Sequence, residues 1–404
     1  MTRVSRAIPE YEALVTQRSA SFFADAIAQH RPSLESGVDG SRIAIIGAAG
    51  SIGAAVVKTI LRFHPAALCL IDLSENNLVE LVRDLRSSSG VALPKEFATL
   101  PIGLGTTEFD RYFADSTPFD YLLNLSAMKH VRSEKDIYCL MRMLDTNVVF
   151  LHDFLRHNPY RFRKVFSVSS DKASNPANLM GASKMIMEKV LLAQAGEQPF
   201  STARFANVAF SDGSLPYGFL RRIEKRQPIS APNDVRRYFI SHQEAGELCV
   251  LSCMLGENCD VFFPKLAGGK DEKTFSQIAV DLLATLGYEP VECSSEEEAK
   301  ARTEELIPQR KWPCYFFKSD TTGEKEYEEF YVAGEQLDLE RFKNIGVTKR
   351  SPLTDSEPIE AFVRFCRNAK SDPQVTKEDY VRAMLKIVPA LQHIETGKNL
   401  DQKM

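Results

Sequence analysis

The sequence predicts an α/β fold, a Rossmann-type doubly wound parallel sheet with a smaller carboxyl-terminal lobe. Short apolar runs alternate with stretches of helical periodicity over residues 42–205, a pattern typical of parallel sheets. A glycine-rich turn follows the first apolar run. Polar side chains follow a later run, at the sheet edge where folds of this class bind ligands.

The predicted core elements follow one another in a regular order. Each apolar run is followed by a helical stretch, as in the recurrence of Ile52, Val56 and Ile60 after the first run. Beyond residue 205 the alternation loosens and prolines interrupt it, so we place the smaller lobe there. The strand candidates of the core are RIAIIG (42–47), ALCLID (67–72), YLLNLS (121–126) and KVFSVSS (164–170).

The composition narrows the class of protein. The 404 residues carry 50 Lys and Arg against 54 Asp and Glu, a net charge of −4 that disfavours a nucleic-acid partner. The longest uncharged run, 43–57, is shorter than the roughly 18 residues of a spanning helix, and no apolar stretch follows the basic amino end. The 8 cysteines form no CxxC pair, and no histidines lie at zinc-ligand spacing. We therefore expect a cytoplasmic protein with no membrane insertion and no metal site.

The first strand leads into the turn GAAGSIG, for which we predict dinucleotide binding. Gly47, Gly50 and Gly53 permit a tight turn and a close approach of the backbone. Ser51 and Ile52 begin a helix whose free N–H groups would face a pyrophosphate. The spacing is GxxGxxG, whereas the common dehydrogenase fingerprint is GxGxxG.

Asp72 indicates which dinucleotide binds. It closes the second strand 19 residues after Gly53, close to the roughly 20 expected for the acid that accepts ribose hydroxyls. A carboxylate there repels a 2′-phosphate, and no arginine neighbours Asp72 in the sequence. The predicted cofactor is therefore NAD rather than NADP.

Candidate catalytic side chains follow the fourth strand. The segment SSDK (169–172) should emerge at the carboxyl edge of the sheet. In the helix that follows, Met180 and Lys184 lie four positions apart on one face, which could border the same cleft. The candidate catalytic residues are Ser169, Ser170, Asp171, Lys172, Met180 and Lys184.

This region resembles a known enzyme family. A YxxxK pair after a serine-bearing strand marks the extended short-chain dehydrogenase/reductase superfamily, and the chain is similar to its UDP-N-acetylglucosamine 4,6-dehydratases of polysaccharide biosynthesis. The resemblance covers about residues 41 to 335 in blocks that keep their order: GAAGSIG, AMKHV (127–131), TNV (146–148), SSDKASNPANLMGASK, RFANV (204–208), RRYFIS (236–241), FPKL and GEKEYEEF (323–330).

The resemblance implies roles for these residues. Asp171 and Lys172 match the acid/base couple for water elimination, and Lys184 matches the lysine that holds the nicotinamide ribose. Asn147, which we include among the cofactor-binding candidates, matches the structural asparagine of the active-site helix. The tyrosine of YxxxK is Met180 here, as in one subgroup of the family.

The chemistry divides among few groups. Oxidation of the sugar at C4 acidifies the C5–H, and we expect Lys172 to remove that proton as an amine that burial beside cationic NAD and Lys184 keeps neutral in the reactive state. Asp171 would protonate the departing C6 hydroxyl. A thioether cannot exchange a proton, so Met180 leaves the C4 hydroxyl proton to Ser169, Ser170 or a water, among which the sequence does not decide.

The resemblance also implies substrate contacts. Arg237 matches an arginine near the nucleotide diphosphate, and a guanidinium suits phosphate because its planar donors engage two oxygens. Two departures stand out: IGLGTT (102–107) replaces an acidic block near the adenine, and Asp212 stands where an arginine is common. The candidate substrate-binding residues are Lys129, Asn207, Arg237, Ser214 and Glu328.

We divide the chain into an amino-terminal extension (1–40), an NAD-binding Rossmann core (41–210) and a substrate-binding lobe (211–404), which includes returning core segments and a carboxyl-terminal tail. The resemblance implies a homo-oligomer, with a dimer contact through helices near 132–155 and 178–194. The predicted function is an NAD-dependent 4,6-dehydratase acting on a UDP-N-acetylhexosamine, foremost UDP-N-acetylglucosamine. The alternatives are a nucleotide-sugar epimerase acting at C5 or C4 and a non-catalytic NAD-binding sensor.

Overall fold

The computed structural model describes residues 8–158, 160–266, 272–319 and 328–393. Residues 1–7, the tail beyond 393 and the first part of the GEKEYEEF block lie outside these ranges. The helices are α1 (Ile8–Thr16), α2 (Ala24–Gln29), α3 (Arg31–Val38), α4 (Ser51–Leu61), α5 (Glu75–Ser87), α6 (Thr107–Asp115), α7 (Ile137–Leu144), α8 (Phe150–His157), α9 (Leu179–Gln194), α10 (Leu215–Glu224), α11 (His242–Leu255), α12 (Phe275–Thr285), α13 (Glu296–Ala301), α14 (Thr303–Leu306), α15 (Glu357–Ala369) and α16 (Lys377–Ile387). The strands are β1 (Arg42–Ile46), β2 (Ala67–Ile71), β3 (Glu96–Leu100), β4 (Tyr121–Asn124), β5 (Lys164–Val168), β6 (Phe200–Ala203), β7 (Asn207–Val208), β8 (Ile229–Pro232), β9 (Arg236–Ile240), β10 (Asp260–Pro264), β11 (Glu272–Thr274), β12 (Glu289–Glu292), β13 (Lys311–Phe317), β14 (Gln336–Asp338) and β15 (Ile345–Lys349).

A nine-stranded sheet forms the centre of the described chain and confirms the predicted fold class. Its strand order is β14-β15-β10-β6-β5-β4-β1-β2-β3. Pairing is parallel from β10 through β3, and β15 and β14 add antiparallel strands at one edge. The order reverses between β1 and β4, so the connections leave the carboxyl edge in opposite directions there and open a crevice.

Apolar residues bury both faces of this sheet. Successive strand residues point to opposite faces, so Ile43 and Ile45 of β1 join one apolar cluster and Ala44 and Ile46 join another. On the first face, α4 packs closely against α11. A Cβ at Gly246 of α11 would lie 2.6 Å from a backbone carbonyl of α4, so only glycine permits this approach.

The smaller lobe is built from segments beyond residue 206. Within the described residues it contains two three-stranded sheets, ordered β11-β9-β7 and β12-β13-β8. Its apolar cluster includes the buried Trp312, whose Nε1 donates to the Gln227 carbonyl oxygen at 3.0 Å. The segment DVFFP (260–264) forms β10 of the central sheet, so the chain returns to the core within the region that was assigned to the lobe with its returning core segments.

The amino-terminal helices pack on both parts of the chain. Tyr11 of α1 is buried in the apolar cluster of the smaller lobe, whereas α2 and α3 join the central core. The largely polar stretch 33–41 is mostly α3. It is helical because Leu34 and Val38, four residues apart, share one buried face that packs against α11.

The carboxyl-terminal helices α15 and α16 cover the outer face of α9 and the turn between α7 and α8. This is the face where the dimer contact was expected, and the chain's own helices occupy it. Within the described ranges, no helix has both the length and the apolar character needed to cross a bilayer. The shared cluster includes Leu140, Val148, Met180, Ile186, Val190, Ile359, Phe362, Val363, Tyr380 and Met384.

Candidate active site

The turn between β1 and α4 requires its glycines. Gly47 has a φ of +75°, in the left-handed region that favours glycine. A Cβ at Gly53 would lie 2.0 Å from the Gly47 carbonyl oxygen. Gly50 is the N-cap of α4, and Ser51 and Ile52 form its first turn, whose N–H groups have no partner inside the helix. The geometry therefore fits a bound pyrophosphate.

A cavity of about 300 Å³ adjoins this turn. Its lining includes Gly47, Gly50 and Asp72, the segment 102–104 from IGLGTT and the segment 125–128 after β4. The apolar part suits a nucleobase, the carboxylate suits ribose hydroxyls, and the glycine turn suits phosphates. The residues that line this cavity thus fit the dinucleotide that the sequence predicts.

Asp72 is fixed in this cavity, and an arginine that the sequence did not reveal lies with it. The Asp72 Oδ2 accepts from the Ala49 N–H at 3.0 Å, and its Oδ1 accepts from the Ser74 N–H at 2.9 Å. Arg142, 70 positions later in the chain, also lines the cavity. Its guanidinium lies 5.6 Å from the centre of the Phe150 ring.

Asn147 lies in a π turn at 145–149 that joins α7 to α8. Its Oδ1 accepts from the Met128 N–H at 2.9 Å, and its Nδ2 donates to the Met128 carbonyl at 3.0 Å and to Ser183 Oγ at 2.9 Å. These bonds tie the segment after β4 to α9. Because its amide is used within the protein, Asn147 acts by positioning rather than by direct contact with a cofactor.

The predicted acid/base pair lies in a short turn directly after β5. Lys172 Nζ is 3.1 Å from Asp171 Oδ2 and 3.2 Å from Oδ1. Ser170 Oγ donates to Asp171 Oδ1 at 2.8 Å and accepts from the Lys172 N–H at 3.2 Å. The Asp171 side chain is buried, so the pair is not the exposed surface turn that an isolated Asp-Lys sequence would normally form.

Neighbouring charges set the resting charge state of Lys172. Burial lowers the pKa of Lys172, but the charge of Asp171, and that of Glu328 when it is ionised, raise it by more, and the pKa is raised overall. Lys172 is therefore an ammonium in the resting site. The neutral amine that we expect in the reactive state beside cationic NAD and Lys184 stays a prediction.

Ser169 belongs to a buried ion-pair network. Its Oγ donates to Glu188 Oε1 at 2.6 Å. Arg204, only 1% exposed, lies 2.8 Å from Glu188 Oε2 and 3.2 Å from Glu335 Oε2. Burial raises the pKa of Glu188, but Arg204 and Ser169 lower it by a larger amount. The pKa is therefore lowered overall, and the carboxylate stays ionised. The sequence analysis missed this network; the RFANV block, which contains Arg204, was the available signal.

Lys184 projects from α9 toward the end of β5. Its Nζ donates to the Val168 carbonyl oxygen at 3.0 Å. Burial lowers the pKa of Lys184 to about 8, an effect that the charge of Glu188 partly offsets. The amine therefore lies at the sheet edge beside residues 169–172.

The start of α9 packs closely against the turn 171–173, which carries the predicted acid/base pair. A Cβ at Gly181 would lie 2.5 Å from the Lys172 carbonyl oxygen, so only glycine fits there. Asn178 caps the helix by accepting from the Gly181 N–H at 2.8 Å. Met180 is buried in the apolar cluster beneath α15 and α16. The sequence analysis did not single out Gly181, whose only signal was a glycine in the first turn of a helix.

Three predicted substrate residues meet beside the catalytic pair. Glu328 Oε1 accepts from Asn207 Nδ2, and its Oε2 accepts from the Tyr238 N–H at 3.1 Å. Arg237 Nε lies 3.8 Å from Glu328 Oε1. Burial and the charge of Asp171 raise the pKa of Glu328 to about 8.

The two other predicted substrate residues lie near the loop 210–214. The Asp212 N–H donates to Ser51 Oγ at 2.9 Å, which places this loop against the start of α4. Burial lowers the pKa of Lys129, and the charge of Asp212 partly offsets that effect. Ser214 caps α10 by accepting from the Tyr217 N–H at 3.3 Å.

Comparison with known proteins identifies the family of the chain. Residues 43–350, about three quarters of the chain, match the family described as polysaccharide biosynthesis protein. The chain belongs to this family. The matched residues include the central sheet from Ile43 onward and most of the smaller lobe. Every candidate site residue lies within the match.

Individual relatives are distant. An uncharacterized membrane protein of Methanocaldococcus jannaschii is 27% identical over 76% of this chain and 84% of its own length. The probable polysaccharide biosynthesis protein EpsC of Bacillus subtilis is 26% identical over 67% of this chain but only 45% of its own length. A UDP-glucose 4-epimerase of Rickettsia prowazekii is 26% identical over 70% of this chain and 87% of its own length.

Solved structures share the fold of this family member. Pen from Bacillus thuringiensis has a TM-score of 0.61 at 20% identity, covering 78% of this chain and 89% of that one. A UDP-N-acetylglucosamine 4-epimerase from Methanobrevibacter ruminantium has a TM-score of 0.53 at 14% identity, over 85% and 99%. DesIV, a dTDP-glucose 4,6-dehydratase from Streptomyces venezuelae solved with NAD, has a TM-score of 0.52 at 15% identity and covers 86% of this chain and 97% of its own. The family match makes the chain a member of the polysaccharide biosynthesis family, and these structures show that it shares its fold with a nucleotide-sugar epimerase and a nucleotide-sugar dehydratase.

Proposed function

We propose that the protein is an NAD-dependent nucleotide-sugar 4,6-dehydratase that converts a UDP-N-acetylhexosamine, foremost UDP-N-acetylglucosamine, to the 4-keto-6-deoxy sugar. The observation that carries this proposal is the Asp171–Lys172 pair directly after β5, in which Asp171 is buried and Lys172 is partly exposed. Epimerisation at C4 requires no acid for a C6 leaving group, whereas elimination requires an acid and a base side by side.

The proposed cofactor is NAD, held by the glycine turn (47–53), Asp72 and Lys184. When bound, NAD takes up the C4 hydride and later returns it at C6. The turn supplies N–H groups to the pyrophosphate, and the Asp72 carboxylate would accept the adenosine ribose hydroxyls. The NAD-bound dehydratase DesIV, which has the same fold, supports the choice.

The elimination begins from the ion pair. One proton moves from Lys172 Nζ to Asp171 over the 3.1 Å hydrogen bond and creates a neutral amine and a neutral carboxyl together. The amine of Lys172 then removes the C5 proton, and the C6–O bond breaks as Asp171 gives its proton to the departing hydroxyl, which leaves as water. Lys172 returns its proton to C5 when the hydride reaches C6. A proton from solvent then restores the pair and balances the one released by the C4 hydroxyl.

We assign the exit of the C4 hydroxyl proton to Ser170 rather than Ser169. Ser169 Oγ is already bound to Glu188 in the buried network. Ser170 Oγ, in contrast, contacts Asp171 at the reacting centre. Met180 lies in an apolar cluster and exchanges no proton.

We place the UDP diphosphate at Arg237, whose guanidinium lies beside the catalytic pair. Asn207 and Glu328 border the same space from β7 and from the segment after residue 327. Lys129 and Ser214 border it from the segment after β4 and from the start of α10.

The proposed reaction is tested by incubating the protein with NAD and UDP-N-acetylglucosamine and recording proton NMR spectra. We expect a new C6 methyl signal as the product forms. An epimerase would leave C6 oxygenated and change only ring signals, and a sensor would leave the substrate spectrum unchanged. Either of those spectra contradicts the dehydratase proposal.

The cofactor preference is tested by calorimetric titration with NAD and NADP. We expect NAD to bind at least about tenfold more tightly, equivalent to about 1.4 kcal/mol, because the fixed Asp72 carboxylate repels a 2′-phosphate. The D72A variant should bind NAD and NADP with more similar affinities. The control is D84A, which removes an exposed carboxylate paired with Lys58 on the surface. Tighter binding of NADP by the wild-type protein contradicts the role of Asp72.

A further inference from the structure

The site contains a second buried carboxyl that the elimination steps above leave unused. The Glu328 side chain is only 3% exposed. Its Oε1 contacts the Asn207 amide, and its Oε2 accepts from the Tyr238 N–H at 3.1 Å. The amide can present its N–H group to the ionised carboxylate or, turned over, its oxygen to the protonated carboxyl. Glu328 is thus held in one orientation beside the catalytic pair.

Charged groups face Glu328 from two elements. The turn after β5 presents Asp171 and Lys172, and β9 presents Arg237. When Glu328 is ionised, two carboxylates and two cations share one buried site. When Glu328 is protonated, Asp171 is the carboxylate that remains opposite Lys172. The protonation of Glu328 therefore changes the field at Lys172.

We propose that Glu328 is a positioning residue that controls the Asp171–Lys172 pair through its own protonation, an inference that rests on the proposed function. Ionised Glu328 stabilises the ammonium of Lys172 and so opposes the proton transfer to Asp171 that creates the base. It also repels the negative charge that develops on the sugar when C5 loses its proton. Protonated Glu328 removes both effects, so elimination proceeds in that form.

The direction of the pH dependence follows. Burial and the charge of Asp171 raise the pKa of Glu328 to about 8, so the carboxyl is protonated at neutral pH and loses its proton as the pH rises through that value. Elimination should therefore slow above pH 8. Each further pH unit lowers the protonated fraction about tenfold.

The test is the pH profile of C6 methyl formation in the wild-type protein, E328Q and E329Q. In E328Q, the rate of C6 methyl formation relative to its own value at pH 7 should no longer fall at alkaline pH, because an amide resembles a protonated carboxyl and cannot ionise. E329Q is the matched control, since Glu329 is exposed and its carboxylate accepts from Asn175 at 3.1 Å; it should follow the wild type. An E328Q profile that falls as steeply as the wild-type profile overturns the proposal.

A second measurement does not depend on turnover. Infrared spectra of the wild-type protein should show the C=O stretch of a protonated carboxyl that persists at neutral pH and disappears near pH 8, and E328Q should lack this band. Absence of such a band in the wild-type protein overturns the proposal. A wild-type protein that shows the band but forms no C6 methyl product contradicts the proposed function instead, so the two failures are distinguishable.

Discussion

We expect K172A to form the 4-keto-6-deoxy sugar at least about 10²-fold more slowly than the wild-type protein, in line with the usual contribution of a general base. Without the amine, the turn loses the base that accepts the C5 proton and the ammonium that supplies a solvent-exchangeable proton to C5 after the hydride arrives. In D2O, the wild-type product should carry solvent deuterium at C5. The measurement is the rate of C6 methyl formation by NMR.

Two further variants separate the base from the ion pair. K172R keeps a cation opposite Asp171, but a guanidinium does not lose its proton in proteins, so we expect it to be as slow as K172A. K58A removes an exposed lysine of α4 that pairs with Asp84 at 2.7 Å, and it should react at the wild-type rate. Product formation by K172A at the wild-type rate would remove Lys172 from the mechanism.

R204M should lower the free energy of unfolding by about 3 to 5 kcal/mol, the usual cost of removing one partner of a buried ion pair. Arg204 is 1% exposed and contacts both Glu188 and Glu335. Its removal leaves buried carboxylates without their cation. Denaturant unfolding of the two proteins at neutral pH gives the difference.

The pH dependence of the stability loss in R204M and a surface control variant provide two further checks of this prediction. Arg204 holds the pKa of Glu188 low, so this pair contributes stability above the unfolded pKa and loses it on acidification. In R204M the carboxyl can take up a proton, so the deficit should shrink as the pH falls. R31A removes a half-exposed arginine paired with Glu35 at 2.7 Å and should cost less than about 0.5 kcal/mol. Equal losses in R204M and R31A would contradict the ion-pair argument.

Local pattern made four strands of the central sheet predictable. The strands β1, β2, β4 and β5 are short apolar runs followed by turns or helices, and each lies where the alternation predicts it. The additions at one edge were not predictable, because β10 and β15 pair with strands far away in the sequence. The burial of α15 and α16 on α9 is likewise a long-range contact that periodicity alone does not reveal.

The same distinction applies to the site. Asp171 and Lys172 are adjacent in the sequence, so their pairing could be expected from their position after a strand. The meeting of Asn207, Arg237 and Glu328 depends on three separate segments. The effect of Glu328 on the charge state of Lys172 could not be predicted either, because only the folded chain brings that carboxyl near.

The position of α15 and α16 determines where this protein can be truncated. The family match ends at residue 350, before either helix begins. A truncated protein designed to that boundary would retain every residue of the catalytic cluster and yet expose the apolar side of α9, including the surroundings of Met180. Such a fragment would be prone to aggregation. A chimera or minimal expression unit should therefore extend through α16 to residue 393, the last one described.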